Sequence, residues 1–181
     1  MNNSNFIRLS GWSFIIGAIV FALSAISEQV MGFILSMMLL AVGILGLRSR
    51  YGEQVGGFGK NILLIGVALG SLTSLAGLFG AAIDPLWILI PAGPAVLSAC
   101  LALFGVVALY KKPLPRWNAL PLLAGVWLPI FFVPVLIETF NGNWYPSVGN
   151  LAMPLIILQC IALSILGYIL ISDIPQEMAS A

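Results

Sequence analysis

The stretch Asn61–Ala82, NILLIGVALGSLTSLAGLFGAA, decides the fold. It carries no charge, and half of its residues are Gly, Ala, Ser or Thr. At ~1.5 Å per residue, a helix of this length spans the ~30 Å hydrocarbon core of a bilayer. At ~100° per residue, Gly66, Gly70, Thr73, Gly77, Gly80 and Ala81 share one face. Leu64, Leu72, Leu75 and Phe79 lie roughly opposite. A helix with one flat, small-residue side suits close backbone approach by its neighbours. The stretch is therefore expected at the centre of a bundle, with Gly66, Gly70, Gly77 and Gly80 as its packing face.

The rest of the chain supports a membrane setting. Its 181 residues are enough for one domain, 1–181. Hydrophobic residues make up 61% and charged residues 7%, against about 25% charged in soluble domains. A water-soluble fold would have almost nothing polar for its surface. The net charge of +1 offers no footprint for a nucleic-acid partner. The chain has no histidine, which removes histidine-ligated haem, the common zinc hydrolases and histidine acid–base catalysis. Cys100 and Cys160 both lie inside apolar runs and read as buried small hydrophobes.

Apolar runs and the polar breaks between them predict spans at about 6–27, 30–47, 61–83, 86–110, 117–138 and 148–172. The first could be a cleaved leader, since Ala22-Leu23-Ser24-Ala25 has a small-residue look. A second apolar run follows at once, however, across the tight turn Ser27-Glu28-Gln29, so the two are expected as antiparallel neighbours. Residues 48–60, with four glycines, read as a mobile polar loop. Gly56-Gly57-Phe58-Gly59-Lys60 lacks the spacing of a phosphate loop. Asp84-Pro85 suits a tight reversal. Phe140-Asn141-Gly142-Asn143-Trp144-Tyr145-Pro146 has the composition of an interfacial loop. Pro91 and Pro94 are expected to kink the fourth span, and Pro121, Pro129 and Pro134 to kink or partly unwind the fifth; Pro154 lies near the start of the sixth.

The basic residues orient the spans. Arg8, Arg48, Arg50, Lys60, Lys111, Lys112 and Arg116 all fall on one side, and the turns on the other side carry only Glu28, Asp84 and Glu138. The positive-inside rule then puts both termini in the cytoplasm.

The expected fold is all-α: a polytopic six-transmembrane-helix bundle, with three hairpin repeats as a further reading. Ile15–Val20, Leu64–Leu69 and Leu123–Leu128 resemble one another, as do Gly43–Leu47 and Gly105–Leu109. Short matches of this kind arise readily by chance in so apolar a chain.

Few side chains offer chemistry. Gln159 is the strongest polar group near the middle of a span, and an unpaired amide in hydrocarbon costs a few kcal/mol. It should face other helices, and Ser71, Thr73 and Ser74 are its candidate partners. Trp127, between Pro121 and Pro129, could wall a cavity between broken helices. Gln159, Thr73, Ser74 and Trp127 thus make up the expected pocket. Glu28, Asp84 and Glu138 could gather a cation, although solvated turn residues are the simpler reading. No Ser/His pair, paired midplane carboxylates, metal-ligand spacing or intramembrane Lys is present, and no cofactor is expected.

Three functional classes remain. The first is a non-catalytic binding or accessory subunit of the cell membrane, working through helix–helix contacts in the lipid bilayer, with other membrane proteins or itself. The second is a facilitator of a neutral or lipid-like small molecule, built around Gln159. A membrane enzyme is the third. A dry, closed bundle favours the first; a polar pocket beside Trp127 and Gln159 favours the second. A glycine face turned towards lipid would point to oligomerisation.

Overall fold

The computed structural model describes residues 3–27, 29–80, 89–114, 117–141 and 149–172. Helices α1 (Asn3–Ser27), α2 (Val30–Gly80), α3 (Leu89–Lys111), α4 (Leu120–Phe140) and α5 (Gly149–Ser172) account for nearly all of them, and no strand occurs among them. Among the described residues, four stretches are long and apolar enough to cross a membrane: Ser4–Ser27, Met31–Phe79, Ala92–Lys111 and Pro154–Ser172.

The second helix departs most from expectation. Its 51 residues would extend roughly 77 Å if straight. They do not, because the backbone turns at one residue. Gly56 has φ 83° and ψ 177°, a region that only glycine enters without strain. On a straight helix Arg48 and Lys60 would stand about 18 Å apart. Instead, Arg48 Nε donates to the Lys60 carbonyl at 3.1 Å, and Lys60 Nζ is paired with Glu53.

The helix is therefore two antiparallel arms, α2a (30–55) and α2b (57–80). Further along, Gly70 meets the Met37 methyl. The mobile loop expected over 48–60 does not exist. Buried Leu40, Ile44, Leu47, Tyr51 and Val55 continue one helical stripe into it, and the reversal is confined to Gly56.

Consecutive helices are neighbours, and α5 closes back on α1. Glycines make the seams tight. Gly43 receives the Phe14 ring, joining α1 to α2a. A Cβ on Gly66 would lie 2.5 Å from the Cys100 Cβ, and one on Gly77 would lie 2.5 Å from the Ile90 nitrogen. The expected packing face thus does pack, against α3, at Gly66, Gly70 and Gly77, all of them buried. The opposite face looks outward, with Leu72 63% and Phe79 83% exposed. Gly80 has a described backbone only. Gly105 abuts Leu122 and Gly125 abuts Ala102, joining α3 to α4; Gly11 and Gly167 join α1 to α5. Among the described residues, no glycine tightens the α4–α5 seam.

The sequence recurrences are not repeated in the packing. Gly17 and Gly66 each face the next helical segment, whereas their counterpart Gly125 faces the preceding one. Gly43 likewise faces backward and Gly105 forward. Equivalent positions in a hairpin repeat would occupy equivalent seams.

Buried hydroxyls are mostly satisfied within their own helices, as hydrocarbon demands. Ser10, Ser13 and Ser24 donate to the carbonyls of Phe6, Leu9 and Val20. Phe14, Ile44, Leu97, Leu101, Phe104, Leu163 and Leu166 fill the interior, and large aliphatic side chains cover the outside.

One boundary shifts clearly. The fifth expected span begins at Leu120 rather than Trp117. Trp117 is left-handed, at φ 62°, and Asn118 clips the turn by bonding both the nitrogen and the carbonyl of Leu114. Pro121 consequently sits in the first helical turn, where its missing N–H costs nothing. Pro94, Pro129, Pro134 and Pro154 lie inside helices. The expected Asp84-Pro85 turn lies outside the described residues, as do positions 142–146 of the aromatic segment.

The antiparallel seams bring the basic residues together. Ser10 lies against Gly46, which sets Arg8 near Arg48. The pairing of Gly66 with Cys100 and of Gly77 with Ile90 carries Lys111 and Lys112 to the same rim.

Candidate functional site

Gln159 lies near the middle of α5 and is 1% exposed. Its Nε2 donates to Ser98 Oγ at 2.9 Å, and Ser98 is itself near the middle of α3. This bond reaches across the ring past α4. It joins two helices that are not neighbours in the ring. The second half of the amide is left over: Gln159 Oε1 is buried without a partner.

Trp127 is beside it, as expected. Trp127, Leu128 and Phe131 of α4 and Leu155, Ile156 and Gln159 of α5 line a slit with no room for a water molecule. The polar pocket foreseen around Gln159 and Trp127 is thus closed and dry in this conformation. Its α4 residues are half-buried and border the outer surface of the ring.

Thr73 and Ser74 do not join this group. Thr73 Oγ1 donates to the Leu69 carbonyl on its own helix. Ser74, 4% exposed, stands against Gly93 on the α2b–α3 seam, and its Oγ has no hydrogen-bond partner. Ser71 and Ser74 instead border a space of about 210 Å³ between the two arms of α2, closed on the other side by Met37 and Met38. The true partner of Gln159, Ser98, was missed. Its signal was present, since Ser98 is the one Ser or Thr in the run Leu89–Lys111, but choosing it required the helix order.

A roomier concavity lies elsewhere. A groove of about 500 Å³ runs between α1 and α5 and opens outward. Ala18, Ala22, Ile161, Ser164, Ile165 and Tyr168 are among its walls. Cys160 borders it and Cys100 meets Gly66, so the two cysteines occupy separate seams, and both are free thiols.

Outside the apolar segments, the Lys60 ammonium holds the Glu53 carboxyl below the usual carboxylate range, by hydrogen bond first and by charge second. Among the described residues no group of three His, Cys, Asp or Glu side chains could hold a metal. Glu28 and Asp84 lie outside the described residues and the Glu138 side chain is likewise undescribed, so the acidic cluster has no geometry to report.

No protein-family model matches the chain, and no curated protein or solved structure is significantly similar to it.

Proposed function

We propose that this chain is a non-catalytic protein of the cell membrane that crosses the bilayer six times, α2 supplying two crossings. It acts as a binding or accessory subunit through helix–helix contacts. Both termini lie on the cytoplasmic side, together with the rim that gathers Arg8, Arg48, Lys60, Lys111 and Lys112. The reading draws on where the empty space is. The interior of the ring is filled, whereas the roomy concavity between α1 and α5 faces outward.

The glycine face centred on Gly66 and Gly70 is consumed within the bundle, so it is not the partner surface. The α1–α5 groove has small residues on its floor, Ala18, Ala22 and Ser164, which let another backbone come close. A transmembrane helix, of another membrane protein or of a second copy, is the partner that such a floor accommodates.

The test is filling the groove. Ala22→Trp and Ser164→Trp each place an indole in the groove. Native membranes are crosslinked, the protein is purified in mild detergent, and the particle mass is measured. The wild type is expected to carry a stoichiometric protein partner, and both variants to lose it while staying folded. A wild-type particle containing a single chain and lipid alone would overturn the proposal.

A further inference from the structure

The α4–α5 seam combines three features found together nowhere else among the described residues. It lacks a close glycine contact. Its α4 wall contains Pro129 and Pro134, which cannot donate to the carbonyls of Gly125 and Ile130, so α4 bends more readily here. Gln159 lines the seam, and its Oε1 is a buried hydrogen-bond acceptor with no donor.

An unsatisfied amide oxygen in an apolar interior is costly, and a native structure that retains one calls for an explanation. We infer that the seam is a closed ligand site, and that Gln159 Oε1 receives the hydroxyl of a neutral, long-chain alcohol that enters sideways from the bilayer.

Each part of that description comes from the walls. The free group accepts a hydrogen bond, so the ligand must donate one. No described charged side chain lines the slit, so an ammonium or a carboxylate would be desolvated without a counter-ion; the donor is neutral. Trp127, Phe131, Leu155 and Ile156 present only apolar surface, so the body of the ligand is hydrocarbon. The slit is too narrow to hold water, so occupancy requires α4 and α5 to part, and the half-buried α4 residues place the opening on the lipid side. A straight-chain alcohol, an isoprenoid alcohol and the free hydroxyl of a diacylglycerol share this chemistry. Because the α1–α5 groove plays no part, the site stands or falls separately from the partner surface proposed above.

The experiment uses the full chain in lipid nanodiscs. A diazirine-bearing hexadecanol is photolysed with the protein, and the labelled peptides are mapped. Unlabelled hexadecanol competes in one arm and its methyl ether, which has the same chain without the donor, in another. Farnesol and dioleoylglycerol occupy two further arms to separate the sources. Labelling is expected on the segments holding Trp127–Phe131 and Leu155–Gln159, with the alcohol competing at least tenfold better than the ether. Gln159→Met is expected to abolish that preference. The wild-type comparison of alcohol with ether needs no variant, so a misfolded Gln159→Met protein leaves the test intact. Equal competition by alcohol and ether overturns the proposal. So does labelling confined to the α1–α5 groove, or no labelling of the seam.

Discussion

Replacing Gly56 by alanine isolates the backbone term in this fold. A Cβ added at Gly56 meets nothing within 4 Å, and the same is true at Gly57. Neither alanine can clash, so packing contributes equally, and negligibly, to both variants. The two positions differ in φ. Gly56 stands at φ 83° and ψ 177°, where an L-residue costs of order 1–3 kcal/mol. Gly57 has no such positive φ, and alanine there gains about 0.4–1 kcal/mol by restricting the unfolded chain. That same gain offsets part of the cost at Gly56.

The expected outcome is that Gly56→Ala lowers stability by roughly 1–2 kcal/mol net while Gly57→Ala leaves it unchanged or slightly raised. Equilibrium unfolding in mixed micelles reads the difference, with exposure of the buried thiols of Cys100 and Cys160 to a fluorogenic maleimide as the signal. Equal stabilities for the two variants would refute the reasoning, because the reversal could not then depend on a glycine-only conformation at residue 56.

Other outcomes follow from the same geometry. Ser98→Ala strands the whole Gln159 amide and should destabilise by about 1–3 kcal/mol, whereas Gln159→Met removes the buried amide and should change stability by less; the same unfolding assay ranks them. Gly105→Ala drives a methyl into the Leu122 backbone and should cost about 1–3 kcal/mol, well outside the range of Gly57→Ala. The Glu53 carboxyl titrates below its ordinary value in the folded state, so its pairing with Lys60 stabilises above the unfolded carboxylate pKa. That contribution disappears as pH falls through the lowered one. Glu53→Gln should flatten this small acid dependence, and high salt should mask it. Thiol reporters at Asp84 and Lys111, in a background lacking Cys100 and Cys160, should be labelled from opposite faces of a sealed vesicle; labelling from one face would undo the six-crossing proposal.

Much of this architecture could be read from residue order because lipid imposes simple rules. The flat face of 61–82 was legible since Gly66, Gly70 and Gly77 recur at helical spacing while Leu72 and Phe79 oppose them, and the structure buries the first set and exposes the second. The single-residue reversal was not. Four glycines between residues 52 and 59 read as a loop, yet the stripe Leu40, Ile44, Leu47, Tyr51 and Val55 continues at helical spacing almost to the turn. Local composition and periodicity point in opposite directions there, and the helix follows the periodicity. The candidate pocket divided for a different reason. Ser74 and Gln159 both needed partners, but which seam each faces depends on ring order, a long-range property that spacing along one helix does not contain. Trp127 and Gln159 line the same slit because they lie at comparable depth on consecutive helices.

A turn completed in one residue leaves no slack. Arg48 and Lys60 tether the two arms of α2 directly beside it, so at that rim their axes stay about one helix diameter, ~10 Å, apart. Any breathing of the ring must then be taken up away from this fixed corner. The molecule is hinged on its cationic edge, and its compliance is pushed towards the α4–α5 joint, which no described glycine clasps.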